Sequence, residues 1–274
     1  MREALKPVSA LLISVAILLT GQGLQGTLLP IRASVESFST TSIGLMGAAY
    51  FLGFTIGCLL GVYLVKRVGH IRVFLAMTAI ASTTALIHAL LLFPSIWILM
   101  RMLTGFCFAV LFVVIESWVN DRSSNENRGV IFSVYVMITL TVQAVGQFLI
   151  LLYEPNGVEL FAITSILVTL AAIPIALSTS PAPYIDQNTS FNLKKLYKIS
   201  PAAVIGCLFI GLANGSFWSL APIFISDVFA DISFTAYFMT AVIVGGAIFQ
   251  WPIGYLSDKI GRRKITIITA AFSA

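Results

Sequence analysis

The chain has 274 residues, of which 58% are hydrophobic and 10% are charged. Soluble domains carry about 25% charged residues, so this composition excludes an ordinary soluble protein and indicates a chain whose solvent is lipid. The formal net charge of +5 could suggest nucleic acid. However, the cations cluster in connections between apolar runs, which favours a membrane surface and no nucleic-acid partner.

Eight apolar runs follow one another, each about as long as the ~20 residues that cross a bilayer as a helix. Because lipid cannot satisfy free backbone groups, we expect helices and an all-α membrane protein. The predicted spans are residues 8–31, 43–65, 73–93, 96–119, 130–153, 159–178, 201–226 and 233–256. A ninth run opens at Ile265 and reaches Ala274, so we expect the chain to stop inside that helix.

Arginine and lysine mark one face of the membrane. Apart from Arg32, the cations outside the spans precede the first span or lie in every second connection. By the positive-inside rule, this pattern predicts a cytoplasmic amino terminus. We expect an integral multi-pass protein of the bacterial inner, or cytoplasmic, membrane.

The chain divides into two related parts. Residues 179–200 form the longest connection, which is polar and contains prolines, as a linker between halves does. The predicted units are therefore residues 1–178, a cytoplasmic linker at 179–200, and residues 201–274. Residues 1–82 align with 193–274 without a gap, which keeps Pro30 with Pro222 and Gly69 with Gly261. An even number of spans separates the copies, which therefore form a parallel repeat.

The string GYLSDKIGRRK occupies residues 254–264, directly after the eighth span. A GxLxDxxGRR cluster after the second span of a half, in two halves joined by a cytoplasmic linker, resembles the major facilitator superfamily. The strings GQGLQGTLLPIRA, RMLTGFCFA and VIESWVNDRSSNENRG are further similar to its YcaD-like branch. The resemblance implies twelve spans: a six-helix N-terminal bundle and a C-terminal bundle that is incomplete here. It implies that the chain is truncated in the ninth span and that about four spans are missing.

The resemblance also implies that the connections after the second and eighth spans act as gating loops. In the second copy, Asp258 could attract a neighbouring helix amino terminus as a conformational latch. A purely topogenic loop would explain its cations but not its glycines at family spacing. In the first copy Lys66 replaces Asp258, so the latch is not carried over to that half. The candidate loop residues are Lys66, Arg67, Gly69, Arg72, Gly254, Asp258, Gly261, Arg262 and Arg263.

Two charged residues lie inside a span, where a charge costs at least ~2.5 kcal/mol near the centre. Arg101 resembles the fourth-span arginine motif of the superfamily, which is linked there to substrate binding or proton coupling. It could instead snorkel to the outer surface. Glu116 lies about 22 Å further along the same helix, so the two do not form one ion pair. Glu116 is either a proton carrier or the partner of Lys66, Arg67 or Arg72 in an inner gate.

Uncharged polar side chains also occur near the middle of three spans. Such groups line a substrate site or bond neighbouring helices, and for the whole set we favour cavity lining. Gln22 and Asn214 occupy equivalent positions in the repeat. The predicted cavity residues are Gln22, Gln25, Gln143, Gln147, Asn214 and Trp218.

These features predict a secondary active transporter of a small solute that works by alternating access and is coupled to protons. The sequence lacks a GxxxxGK[ST] loop, so direct use of ATP has no support. Two histidines and scattered acids do not provide the cluster that an enzyme or a metal site needs, so we expect no cofactor. The alternatives are a non-transporting membrane sensor and an incomplete gene fragment.

Overall fold

Long helices make up nearly all of the described chain. The computed structural model describes residues 8–123, 128–178, 183, 197–229 and 231–273. Its helices are α1 (Ser9–Val35), α2 (Thr40–Val68), α3 (His70–Leu90), α4 (Pro94–Asp121), α5 (Arg128–Phe148), α6 (Glu159–Leu170), α7 (Pro201–Val228), α8 (Ile232–Ile260) and α9 (Arg262–Ser273). A 3₁₀ turn (Leu149–Leu152) follows α5, and a short helix (Ala172–Ala176) continues α6.

Eight helices in the described residues are long and apolar enough to cross a membrane. This confirms the predicted all-α class and the eight spans. Helix ends differ from the predicted ends by a few residues, and at the start of α2 a polar cap extends the apolar run. The Ser39 hydroxyl accepts from the backbone N–H of Ser42 at 3.2 Å and so starts α2. Most of the predicted linker at 179–200 lies outside the described residues, so the division into halves stays a prediction.

The two motif connections are single glycines. Gly69 joins α2 to α3 with a φ of 92°, and Gly261 joins α8 to α9 with a φ of 100°. Residues with a side chain rarely adopt this backbone conformation, which explains why both copies of the repeat have glycine there. The ninth helix begins at Arg262 and not at Ile265, because residues 262–264 form its first turn.

Close backbone contact joins α2 to α4. A Cβ atom at Gly53 would overlap the carbonyl oxygen of Met102, and one at Gly57 would come within 2.6 Å of the carbonyl oxygen of Phe106. From the opposite side, a Cβ at Gly105 would overlap the carbonyl oxygen of Tyr50. Small residues let membrane helices approach this closely. The glycines of α2 and α4 therefore set the distance between these two helices.

Polar contacts occur at both ends of the bundle that the first six helices form. At one end, Arg32 of α1 pairs with Glu36 at 2.7 Å and donates to the carbonyl of Pro155 at 3.0 Å. At the other end, the His70 ring is hydrogen-bonded to the Ser117 hydroxyl at 2.9 Å, which ties the start of α3 to α4. Between these ends lie two apolar cores, the second of which also includes Ala236 of α8.

We predict that Gly53→Ala destabilises the protein by roughly 1–3 kcal/mol, because the added methyl group must push α2 away from α4. The measurement is the apparent Tm of the purified chain in detergent. The matched control is Gly44→Ala in the same helix, where an added Cβ meets no atom within 4 Å. Equal Tm values for the two variants would contradict the close packing of α2 on α4.

Candidate functional site

A cavity of about 310 Å³ lies among α1, α2, α4, α5, α7 and α8. Apart from Phe112 of α4, its lining residues fall in the half of each helix nearer to the connections at residues 36–39 and 91–93. The polar part of the wall consists of Gln22, Gln25, Tyr50, Arg101, Gln143, Gln147 and Ser219. The aromatic part of the wall consists of Phe51, Phe54, Phe112 and Trp218, next to the ring of Tyr50.

The structure brings together most of the residues that the sequence suggested for a cavity. Five of the six, together with Arg101, line this one cavity: Gln22, Gln25, Gln143, Gln147 and Trp218. The sixth, Asn214, does not line it. Asn214 is exposed and donates to the Ile210 carbonyl of its own helix at 3.0 Å. The repeat relation between Gln22 and Asn214 therefore does not give the two side chains the same surroundings.

Arg101 is held by an aromatic ring. Its guanidinium carbon lies 4.4 Å from the centre of the Tyr50 ring, the geometry of a cation–π contact. The Tyr50 hydroxyl accepts a hydrogen bond from the Gln22 side-chain amide at 3.1 Å. Tyr50 therefore links α1, α2 and α4 at the cavity wall.

Tyr50 is a site residue that the sequence analysis missed. It lies three residues before Gly53, so both share the face of α2 that packs on α4. Gly53 and Gly57 could therefore have identified it, if the residues one turn before Gly53 on the same face had been considered.

Arg101 has no acidic partner in the described part of the chain. The ion pairs there join Arg32 to Glu36 and Arg122 to Asp121, at helix ends outside the cavity. The described residues that line the cavity include no aspartate or glutamate. Arg101 is thus a cation whose described polar neighbours in the cavity wall are neutral.

The helices α1 and α5 contact each other at Gln147, through its side chain, and at Gln143, through its backbone. The buried Gln147 donates to the Gly23 carbonyl at 3.1 Å and accepts from the Thr27 hydroxyl. A Cβ atom at Gly23 would lie 2.6 Å from the carbonyl oxygen of Gln143, so the two backbones are nearly in contact. Gln147 therefore bonds neighbouring helices in addition to lining the cavity.

Glu116 lies away from the cavity, near the end of α4 that the cation pattern assigns to the cytoplasm. It is exposed and within electrostatic range of Cys58 on α2 and Tyr135 on α5. The ion pairs between described residues do not join it to Arg67 or Arg72. Both roles suggested for Glu116 stay predictions.

The second motif copy is described only in part. The backbones of Gly254 and Asp258 are helical within α8, and that of Arg262 begins α9. Nothing is described of the side chains of Asp258 and Arg262, so the latch lies outside the described residues. Arg263 is exposed.

Removing the charge of Arg32 and removing that of Arg101 should have different effects on the stability of the protein. Arg32→Met should lower stability by roughly 1–3 kcal/mol, because it leaves Glu36 and the Pro155 carbonyl without their donor. Arg101→Met should leave stability unchanged or raise it by up to about 2 kcal/mol, because it removes a cation that lacks an acidic partner. The measurement is the apparent Tm in detergent. A loss at Arg101 as large as that at Arg32 would contradict the view that Arg101 is uncompensated.

Comparisons with known proteins agree with this architecture. A family model described as Major Facilitator Superfamily matches residues 11–274. An uncharacterized MFS-type transporter, YcaD of Escherichia fergusonii, is 26% identical over 259 residues, which is 94% of this chain and 68% of the relative. The YcaD protein of Escherichia coli is 27% identical over 260 residues with the same coverage.

A solved structure has a similar fold. The crystal structure of nucleoside transporter NupG superimposes with a TM-score of 0.74 at 15% identity, covering 93% of this chain and 69% of that one. At this identity the likeness concerns the fold alone.

Proposed function

The chain belongs to the major facilitator superfamily, and on that premise we propose that this membrane transporter moves a small solute through its cavity by alternating access. The observation that carries the proposal is the composition of the cavity wall. Residues of α1, α2, α4 and α5 face residues of α7 and α8 across it, so the cavity lies between the two predicted halves. Alternating access moves two such halves about a site between them.

The cavity also limits the size of the solute. Its volume of about 310 Å³ is at the lower end of the roughly 300–1,000 Å³ found for ligand pockets. A small molecule therefore suits it better than a lipid or a peptide. Because the relatives are transporters, we assign the chain a transport activity and no enzymatic one.

Proton coupling, a cytoplasmic amino terminus and the bacterial inner membrane belong to the same proposal. Glu116 supports the coupling, because it is a carboxyl group five residues inside the end of α4, where protonation changes the charge of a membrane helix. The separation of cations from acidic loops supports the orientation.

Alternating access is tested by thiol labelling of Gly26→Cys, in a chain whose three cysteines (Cys58, Cys107 and Cys207) are replaced by serine. Gly26 lines the cavity, and a Cβ there meets no atom within 4 Å. We expect a membrane-impermeant thiol reagent to modify this cysteine in right-side-out and in inside-out vesicles. The matched control is Gly245→Cys, which has equally open surroundings but does not line the cavity, and it should react from neither side.

Labelling of Gly26→Cys from one side only, under all conditions tried, would contradict alternating access. That result would favour the non-transporting sensor, in which a cavity binds a solute without being exposed to both compartments.

The same labelling tests the role of Glu116. If protonation of Glu116 shifts the balance between the two access states, the labelling rate from one side should change between acidic and neutral pH. Glu116→Gln cannot ionise and should abolish that change while leaving labelling itself intact. An unchanged pH dependence in Glu116→Gln would rule out Glu116 as the coupling group.

A further inference from the structure

We propose that the transported solute is a small organic anion with a flat aromatic ring, whose anionic group binds Arg101 while its ring packs against the aromatic wall. This inference rests on the proposed function, since it assigns a solute class to the same cavity. It follows from the charge of the cavity, the state of the Arg101 donors and the composition of the wall.

The charge of the cavity is unbalanced. A cation held among lipid-facing helices is costly unless an anion or water compensates it. Arg32, at the end of the bundle, has Glu36 as its partner. Arg101 has the face of Tyr50 and the neutral amides of the cavity, and no described carboxylate within ion-pair distance. An anionic solute would supply the missing charge.

The guanidinium N–H groups of Arg101 are available to bind an anionic group of the solute. No hydrogen bond in the described part of the chain uses the Arg101 guanidinium, and none of its nitrogens belongs to the buried polar atoms without a partner. They therefore border open space, and the cavity is the space that Arg101 lines. A guanidinium presents N–H groups in a planar fork that matches the two oxygens of a carboxylate or a phosphate.

Tyr50 positions this fork. Its ring stabilises the guanidinium through a cation–π contact, with the guanidinium carbon over the ring at 4.4 Å from its centre. Its hydroxyl is in turn fixed by the Gln22 amide. A tyrosine in this position holds the cation in place and leaves its hydrogen-bonding edge free, whereas an acidic residue would neutralise it and compete with an anion.

The remaining wall favours an aromatic ring. Phe54 and Phe112 line the cavity with their ring centres 6.2 Å apart, and Trp218 lines it from α7. Aromatic rings pair at centre distances of 4.5–7 Å, with a gain beyond simple burial of apolar surface. One anionic group beside one ring is also what a cavity of about 310 Å³ can hold.

The experiment is calorimetric titration of the purified full chain with four probes of similar size. Benzoate, benzamide and benzylamine share a ring and differ in charge, while cyclohexanecarboxylate keeps the charge and lacks the aromatic ring. We expect benzoate to bind at least about tenfold more tightly than each of the other three. This comparison uses the unmodified protein and does not depend on the folding of any variant.

Single-residue variants then test which side chains cause the preference for benzoate. Arg101→Gln should abolish the preference for benzoate over benzamide, and Arg101→Lys should weaken it while keeping the order of the probes. Tyr50→Phe should retain most of the preference because the ring remains, whereas Tyr50→Leu should lose most of it. The matched control is Lys198→Gln, which removes an exposed cation that does not line the cavity, and it should bind benzoate as the unmodified chain does.

Equal binding of benzoate and benzamide, or no binding of any probe, would overturn the proposal. A preference for benzoate that persists in Arg101→Gln would overturn the role of Arg101, and cyclohexanecarboxylate binding as tightly as benzoate would overturn the aromatic requirement. The two-sided labelling of Gly26→Cys needs no solute. If that labelling succeeds while benzoate shows no preference, the solute class is wrong and the transport proposal stands.

Discussion

The near contact of the α2 and α4 backbones is the constraint on which the cavity depends. Gly53 and Gly57 let α2 approach the carbonyl groups of α4, and Gly105 lets α4 approach the carbonyl of Tyr50. At this separation the ring of Tyr50 comes to lie over Arg101, one turn of α4 away from Gly105. A wider separation would take the ring away from the cation and leave the cation without its aromatic support.

The helix α4 carries a cation, Arg101, and a carboxyl group, Glu116, at two separate places. Arg101 lies in the cavity, and Glu116 lies about 22 Å away along the same helix, at 1.5 Å per residue. Next to Glu116, Ser117 is bonded to His70, which directly follows the positive-φ joint at Gly69. A solute bound at Arg101 and a proton bound at Glu116 therefore cannot compete for one site. In the proposed function they influence each other through the position of α4.

Much of the fold could be predicted because long apolar runs in lipid have few alternatives to the helix. The repeat located both motif glycines, and their equal backbone geometry at Gly69 and Gly261 has a simple steric reason. Helix starts were less predictable, since the cap at Ser39 and the basic first turn of α9 are polar and hence fall outside an apolar run.

Side-chain surroundings were harder to infer than helices. The glutamines of α1 and α5 were suggested for a cavity by their cost in lipid, and the structure places them at one. Asn214 was included through its repeat partner, but a repeat preserves the helix and not the rotation of each side chain against its neighbours. Tyr50 gave no signal of its own in a chain with 12% aromatic residues, because only the packing of α2 on α4 distinguishes it.

In the proposed site, the solute and not the protein balances the charge of Arg101. The decisive measurement is an experimental structure of the full chain in a lipid membrane, determined with benzoate bound. We expect the carboxylate at about 2.7–2.9 Å from the guanidinium nitrogens of Arg101, with Tyr50 still against a face of the cation. A protein carboxylate paired with Arg101, or benzoate bound away from it, would show that the solute does not balance this charge.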